Sequence, residues 1–147
     1  MTESSRLSGV LRAPDRAGVY HLPAEGCEGV AQVAAELGFA FAHVELDGCP
    51  DKAEFLHRIA AALHFPTWFG QNWDALADCL TDLSWLKAEG YVLVLDHMDR
   101  LRLAAEADFV TAIDIFEEAA RSWADEGVPM WIFVGLAQDG ITHLRSL

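Results

Sequence analysis

Cations are what this chain is short of. Its 147 residues include 10 Lys and Arg against 23 Asp and Glu, a formal net charge of −13. A field of that sign repels phosphate, so it argues against nucleic acid or anionic membrane as partners and favours basic proteins. Cysteine is scarce as well. Cys27, Cys49 and Cys79 are odd in number and form no CxxC pair. That argues against a disulfide framework and favours a reduced intracellular protein. No apolar run reaches membrane-spanning length, and the opening MTESSRLSGVLRAP has no hydrophobic stretch of the kind that directs secretion. A cytoplasmic protein is therefore expected. There is no GxSxG, no phosphate-cradling glycine loop and no dinucleotide fingerprint. What the chain does hold is apolar material, 52% of its residues, enough for one core in a single domain over 1–147.

In chain order, Ser8 to Ala13 and Gly18 to Leu22 read as short strands, and Pro14 with Gly18 brackets a turn, so a hairpin is expected. Val30, Val33, Ala34 and Leu37 recur at helical spacing from Glu28 to Leu37, with Gly38 as the stop. A strand follows over Phe39 to Leu46. Asp51 caps a helix over Lys52 to Leu63, with Glu54 three residues on as in a capping box, and His64-Phe65-Pro66 ends it. Tyr91 to Leu95 and Pro129 to Val134 are unbroken β-rich apolar runs, the mark of strands covered on both faces. Between them a long helix, about Ala105 to Asp125, carries Phe109, Ile113, Phe116, Ala120 and Trp123 as its core stripe. Gly135 to Leu147 reads as a loose or helical tail. Strand alternating with helix predicts an α/β layer fold with a small, mostly parallel sheet.

The stretch from Phe65 to Leu83 is the most informative. A loop with two adjacent aromatics, Trp68 and Phe69, reaches Gly70, where a positive φ is expected to make a sharp turn. Asn72, the single asparagine of the chain, stands where a helix should begin and is its natural N-cap. From Trp73 the helix divides into two faces. Trp73, Leu76, Cys79, Leu80 and Leu83 form an apolar stripe, while Asp74, Ala77, Asp78, Thr81 and Asp82 lie opposite. Three carboxylates thus follow one another at i, i+4 and i+8, with no Lys or Arg between Arg58 and Lys87. Like charges at that spacing oppose a helix by about 0.2–0.5 kcal/mol per pair. Composition alone reads this as a solvated acidic face. The sharper reading is a surface for a cationic partner, with small Ala77 permitting close approach.

Catalytic readings fit poorly. Asp74, Asp78 and Glu118 could in principle serve as acid and base, but Asp74 and Asp78 sit on an open polar helix face that leaves both ionised, and proton transfer needs contrasting environments. Cys79 points to the apolar side and reads as a buried structural thiol. Ser84 and Lys87 match S-x-x-K without its companion motifs. His57 and His64 are two helical turns apart, too far along the axis to share an ion, and His21, His43, His97 and His143 fall in separate elements. No metal and no cofactor are expected.

Pro66, Trp68-Phe69, Gly70, Asn72, Asp74-Ala75-Leu76 and Asp78-Cys79-Leu80-Thr81 together resemble the binding loop and helix of the barstar family of intracellular ribonuclease inhibitors. The resemblance extends more loosely from about Ala42 to Val134, leaving 1–38 as an N-terminal β/α extension. It implies a barstar-like three-layer α/β fold and an inhibitor, not an enzyme, that occludes the cationic site of a small basic ribonuclease. By the same resemblance the partner-binding residues are Trp68, Phe69, Gly70, Asn72, Trp73, Asp74, Ala77, Asp78, Thr81 and Glu118, the last lying two residues after Phe116. The aromatic loop would meet the neighbouring base site. Trp68, Trp73 and Ala77 depart from the family's type member, which has a tyrosine, an aliphatic residue and an aromatic there. The alternatives are an immunity or regulatory module for a basic partner that is not a ribonuclease and, less favoured, a small hydrolase using the acidic face.

Overall fold

A computed structural model of the chain describes residues 9–22, 27–67, 69–136 and 145–146. In order, the elements are β1 (Val19–Leu22), α1 (Cys27–Leu37), β2 (Ala40–Glu45), α2 (Lys52–Ala62), α3 (Trp73–Asp82), β3 (Tyr91–Asp96), α4 (Asp99–Ala104), α5 (Glu106–Asp125), β4 (Met130–Gly135) and β5 (Arg145–Ser146). The strands form one sheet in the order β2-β3-β4-β1-β5, and every described pairing is parallel.

The two apolar runs owe their character to the centre of this sheet. Tyr91, Leu93 and Leu95 of β3, with Met130, Ile132 and Val134 of β4, face one core, shared with α2, α3 and α5. Their neighbours Val92, Val94, Trp131 and Phe133 face the other way, into a second core with Val30, Val33 and Ala34 of α1. With both faces covered, alternation vanishes from the sequence and only hydrophobicity remains. The architecture is thus three-layered: helix, sheet, helices.

The N-terminal segment completes that architecture. β1 pairs with β4, Val19 opposite Ile132 and Leu22 opposite Gly135. Tyr20 packs on Trp131 at 5.4 Å between ring centroids, and Trp131 stacks on Phe133 at 6.1 Å. The expected hairpin is not formed. Residues 9–11 are helical and Pro14–Arg16 makes a 3-10 turn, leaving Val19–Leu22 as the one strand among the described residues there. Pro14 suits the first position of such a turn, where no N–H is required. The helical turn buries Leu11, whose carbonyl accepts from Trp131 Nε1 at 2.9 Å. Of the stretch expected as a tail, Gly135 belongs to β4 and Arg145–Ser146 join the sheet beside β1, while 137–144 and 147 lie outside the described residues. No helix among the described residues is long and apolar enough to cross a membrane.

Candidate functional site

Asp51 and Asn72 set the starts of the two helices that flank the loop. The Asp51 side chain accepts from Glu54 N at 3.0 Å, but the Glu54 carboxylate is taken by Arg58 at 3.1 Å and does not close a capping box. Asn72 Oδ1 accepts from Ala75 N at 2.8 Å while its Nδ2 donates to the Gly70 carbonyl at 3.3 Å. One side chain therefore serves both the free N–H groups of α3 and the turn before it. The turn differs from expectation in one respect. The left-handed residue is Gln71, φ 51°, and Gly70 is not in that region. Gly70 instead allows close packing, because a methyl group there would lie 3.2 Å from Asn72 Nδ2, which would have to give by a few tenths of an ångström.

Aromatic packing fixes the loop from beneath. Phe69 N donates to the Pro66 carbonyl, and its half-buried ring meets Phe65 edge-on at 5.0 Å. Phe65 in turn meets Trp85 edge-on at 6.0 Å, and Trp85 Nε1 donates to the Leu63 carbonyl at 3.0 Å. Phe69 is therefore tied to the scaffold by its own neighbours. Trp73 is likewise half-buried, 6.2 Å from Phe55 with Lys52 Nζ 5.4 Å above its ring. Trp68 lies outside the described residues.

The two faces of α3 are as the periodicity requires. Leu76, Cys79, Leu80 and Leu83 are fully buried, whereas Asp74, Asp78, Thr81 and Asp82 lie on the outer side. Among the described residues no ion pair reaches Asp74, Asp78 or Asp82. The Thr81 hydroxyl turns back on the helix, donating to the Ala77 carbonyl at 2.9 Å and toward Asp78 O at 3.2 Å, which leaves its lone pairs outward. On the inner face, burial pushes the Cys79 thiol pKa up, and the Asp82 and Asp78 charges push the same way. That environment makes Cys79 a poor nucleophile.

Helix α5 brings Glu118 to this face. Trp123 Nε1 donates 2.8 Å to the Leu80 carbonyl, one of the last four of α3, which have no partner within the helix. Phe116, fully buried, sets the rotation of α5. Its two adjacent glutamates then divide. Glu117 turns inward, accepting from Val19 N at 3.0 Å, and Glu118 stays exposed. Glu118, Ala77 and Thr81 line one open groove of about 350 Å³ between the helices, together with Ile115, Ala119 and Arg121. Among the described residues Glu118 forms no ion pair with Arg121, although the spacing allows one. Sequence reasoning missed Ile115 and Ala119 as groove residues. Ile115 and Ala119, four apart, lie on one side of α5 by helical periodicity, but only the packing of α5 beside α3 makes that side a groove wall.

A family model described as Barstar (barnase inhibitor) matches residues 39–135. No curated protein matches the chain.

Proposed function

The chain belongs to the barstar family, and on that premise we propose that it inhibits a small basic ribonuclease by covering the enzyme's cationic site with α3 and the loop before it. The observation that carries this reading is a row of outward carboxylates on α3 that no ion pair reaches among the described residues, on a face whose Ala77 and Thr81 share a groove with Glu118. A ribonuclease site is built to hold phosphates with Arg, Lys and His. Carboxylates one helical turn apart, about 5–6 Å, present similar charge at similar spacing. Asp78 is the central contact, Asp74 and Glu118 flank it, and Thr81 offers its lone pairs. Gly70 and Asn72 set the approach of the loop, Phe69 and Trp73 hold the surface in place, and Trp68 precedes them in the chain. The protein performs no bond chemistry of its own.

Partner choice follows from Ala77. Where the family's type member has an aromatic, a methyl group here leaves the groove open, its floor set by Ile115 and Ala119. A cognate enzyme would fill that space with a side chain of its own, so the preferred partner differs from barnase at this point.

The test is to titrate the protein into RNA hydrolysis by small basic guanyl-type ribonucleases. Loss of activity at one equivalent is the expected result. If none is inhibited while a basic protein without ribonuclease activity binds the chain and loses that binding on Asp78→Ala, the face serves a different target. Chelator-insensitive hydrolysis by the protein itself, abolished by Asp74→Asn, would make it an enzyme.

A further inference from the structure

A second cluster of titratable side chains lies at the carboxyl-terminal ends of β2 and β3, and the inhibitor reading does not use it. Glu45 and Asp96 are register partners on the adjacent parallel strands, and His43 precedes Glu45 by two, on the same face of β2. One ligand atom from each of His43, Glu45 and Asp96 lies within 4.8 Å of the other two. His43 Nε2 and Asp96 Oδ2 are 3.0 Å apart. We propose that His43, Glu45 and Asp96 form a binding site for a divalent first-row transition-metal ion, with Zn²⁺ as the fitting ion.

The donor set selects the ion. One imidazole nitrogen with two carboxylate oxygens suits Zn²⁺, whereas Mg²⁺ and Ca²⁺ ask for oxygen alone and for more ligands. Bond lengths of about 2.0–2.2 Å in a tetrahedron require donors somewhat over 3 Å apart, so small side-chain rotations close the set, with water as the fourth ligand. His43 is 38% exposed, so an ion has direct access from solvent. Coordination through Nε2 needs that nitrogen's lone pair, so the bound His43 would carry its ring proton on Nδ1.

Both carboxylates are already oriented as ligating carboxylates usually are. Asp96 Oδ1 accepts from His97 N at 3.0 Å, leaving Oδ2 for the centre. Glu45 Oε1 accepts from Asp47 N at 3.0 Å and from His97 Nδ1 at 2.7 Å, and its other oxygen has no hydrogen bond among the described residues. His97 thus acts as a positioning residue for the set. Gly135 on β4 makes room for it, since a methyl group there would sit 2.6 Å from Asp96 Oδ1. None of this is visible in linear spacing, because the ligands meet only through the β2–β3 register.

The test uses untagged, chelator-stripped full-length protein and Zn²⁺ alone, followed by calorimetric titration and by melting temperature. One equivalent of Zn²⁺ should bind and raise the melting temperature. His43→Ala and Asp96→Asn should each weaken binding by at least tenfold and remove the thermal shift. His97→Gln should weaken it by about 10–100-fold, as removal of an outer-shell partner does. Absence of saturable Zn²⁺ binding would overturn the proposal. So would equal binding by wild type and both ligand variants, or displacement of Zn²⁺ by equimolar Mg²⁺ or Ca²⁺.

Discussion

Ala77 and Cys79 are two residues apart on α3 and have opposite fates. Cys79 is fully buried with its thiol pKa pushed up by burial, so little thiolate is available near neutral pH. A thiol reagent added to the native protein should modify Cys79 only at the rate of local or global opening, and promptly in denaturant. Rapid native labelling, read by mass spectrometry of the peptide, would show that the inner stripe is misassigned. Ala77 sits on the open groove instead. Ala77→Trp should fill that groove and weaken binding of the cognate ribonuclease by at least tenfold. Its effect on stability should stay within about 0.5 kcal/mol, the ordinary range for a surface change. Unchanged affinity would mean that the partner does not use the groove. The contrast was legible for Cys79, whose neighbours at i−3, i+1 and i+4 are leucines. The groove itself was not, because its other wall comes from α5.

At the scale of elements, α3 was legible because each local signal agreed: a capping asparagine, a 3.6-residue apolar stripe and a loop with a proline and a glycine. Asn72→Ala removes the acceptor for Ala75 N and the donor to Gly70 O together. The expected cost is about 0.5–2 kcal/mol of stability, read as a lower melting temperature, with a faster off-rate from the partner as the loop loosens. A neutral substitution would separate the cap from the fold. The central strands were equally legible, since Tyr91 to Leu95 and Pro129 to Val134 are too short for buried helices and too apolar for a strand with one wet face. The N-terminal segment misled, because Pro14 and Gly18 imitate a hairpin turn. The true partners of β1 are β4 and β5, more than a hundred residues later, and no local signal announces parallel neighbours at that separation. For the same reason His43 and Asp96 looked unrelated in the sequence.

Considered whole, the molecule depends on its N-terminal segment for the second of its cores. Val92, Val94, Trp131 and Phe133 are covered by α1, the 9–11 turn and β1. Removing residues 1–38 would expose an aromatic and aliphatic sheet face, each large side chain losing about 1.5–3 kcal/mol of burial. The truncated chain should fail to fold or should aggregate, and a soluble, cooperatively melting 39–147 fragment would refute the three-layer account. The net charge of −13 acts over the same scale and would steer the proposed basic partner from a distance. Added salt should therefore slow association while changing dissociation less. The central claim, that the acidic face of α3 is an inhibitory surface, is tested most directly by comparing Asp78→Ala with Asp82→Ala in thermal melts and in binding kinetics with the cognate ribonuclease. Both changes relieve like-charge repulsion at i±4 and should stabilise the free protein by a few tenths of a kcal/mol, about 0.2–0.5 per pair. Asp78→Ala should nevertheless cost about 2–5 kcal/mol of binding, because it leaves a buried cation of the enzyme unpaired, while Asp82→Ala, at the edge of the face, should bind nearly as wild type does. Equal affinity of Asp78→Ala and wild type would contradict the assignment and return α3 to a solvated acidic helix.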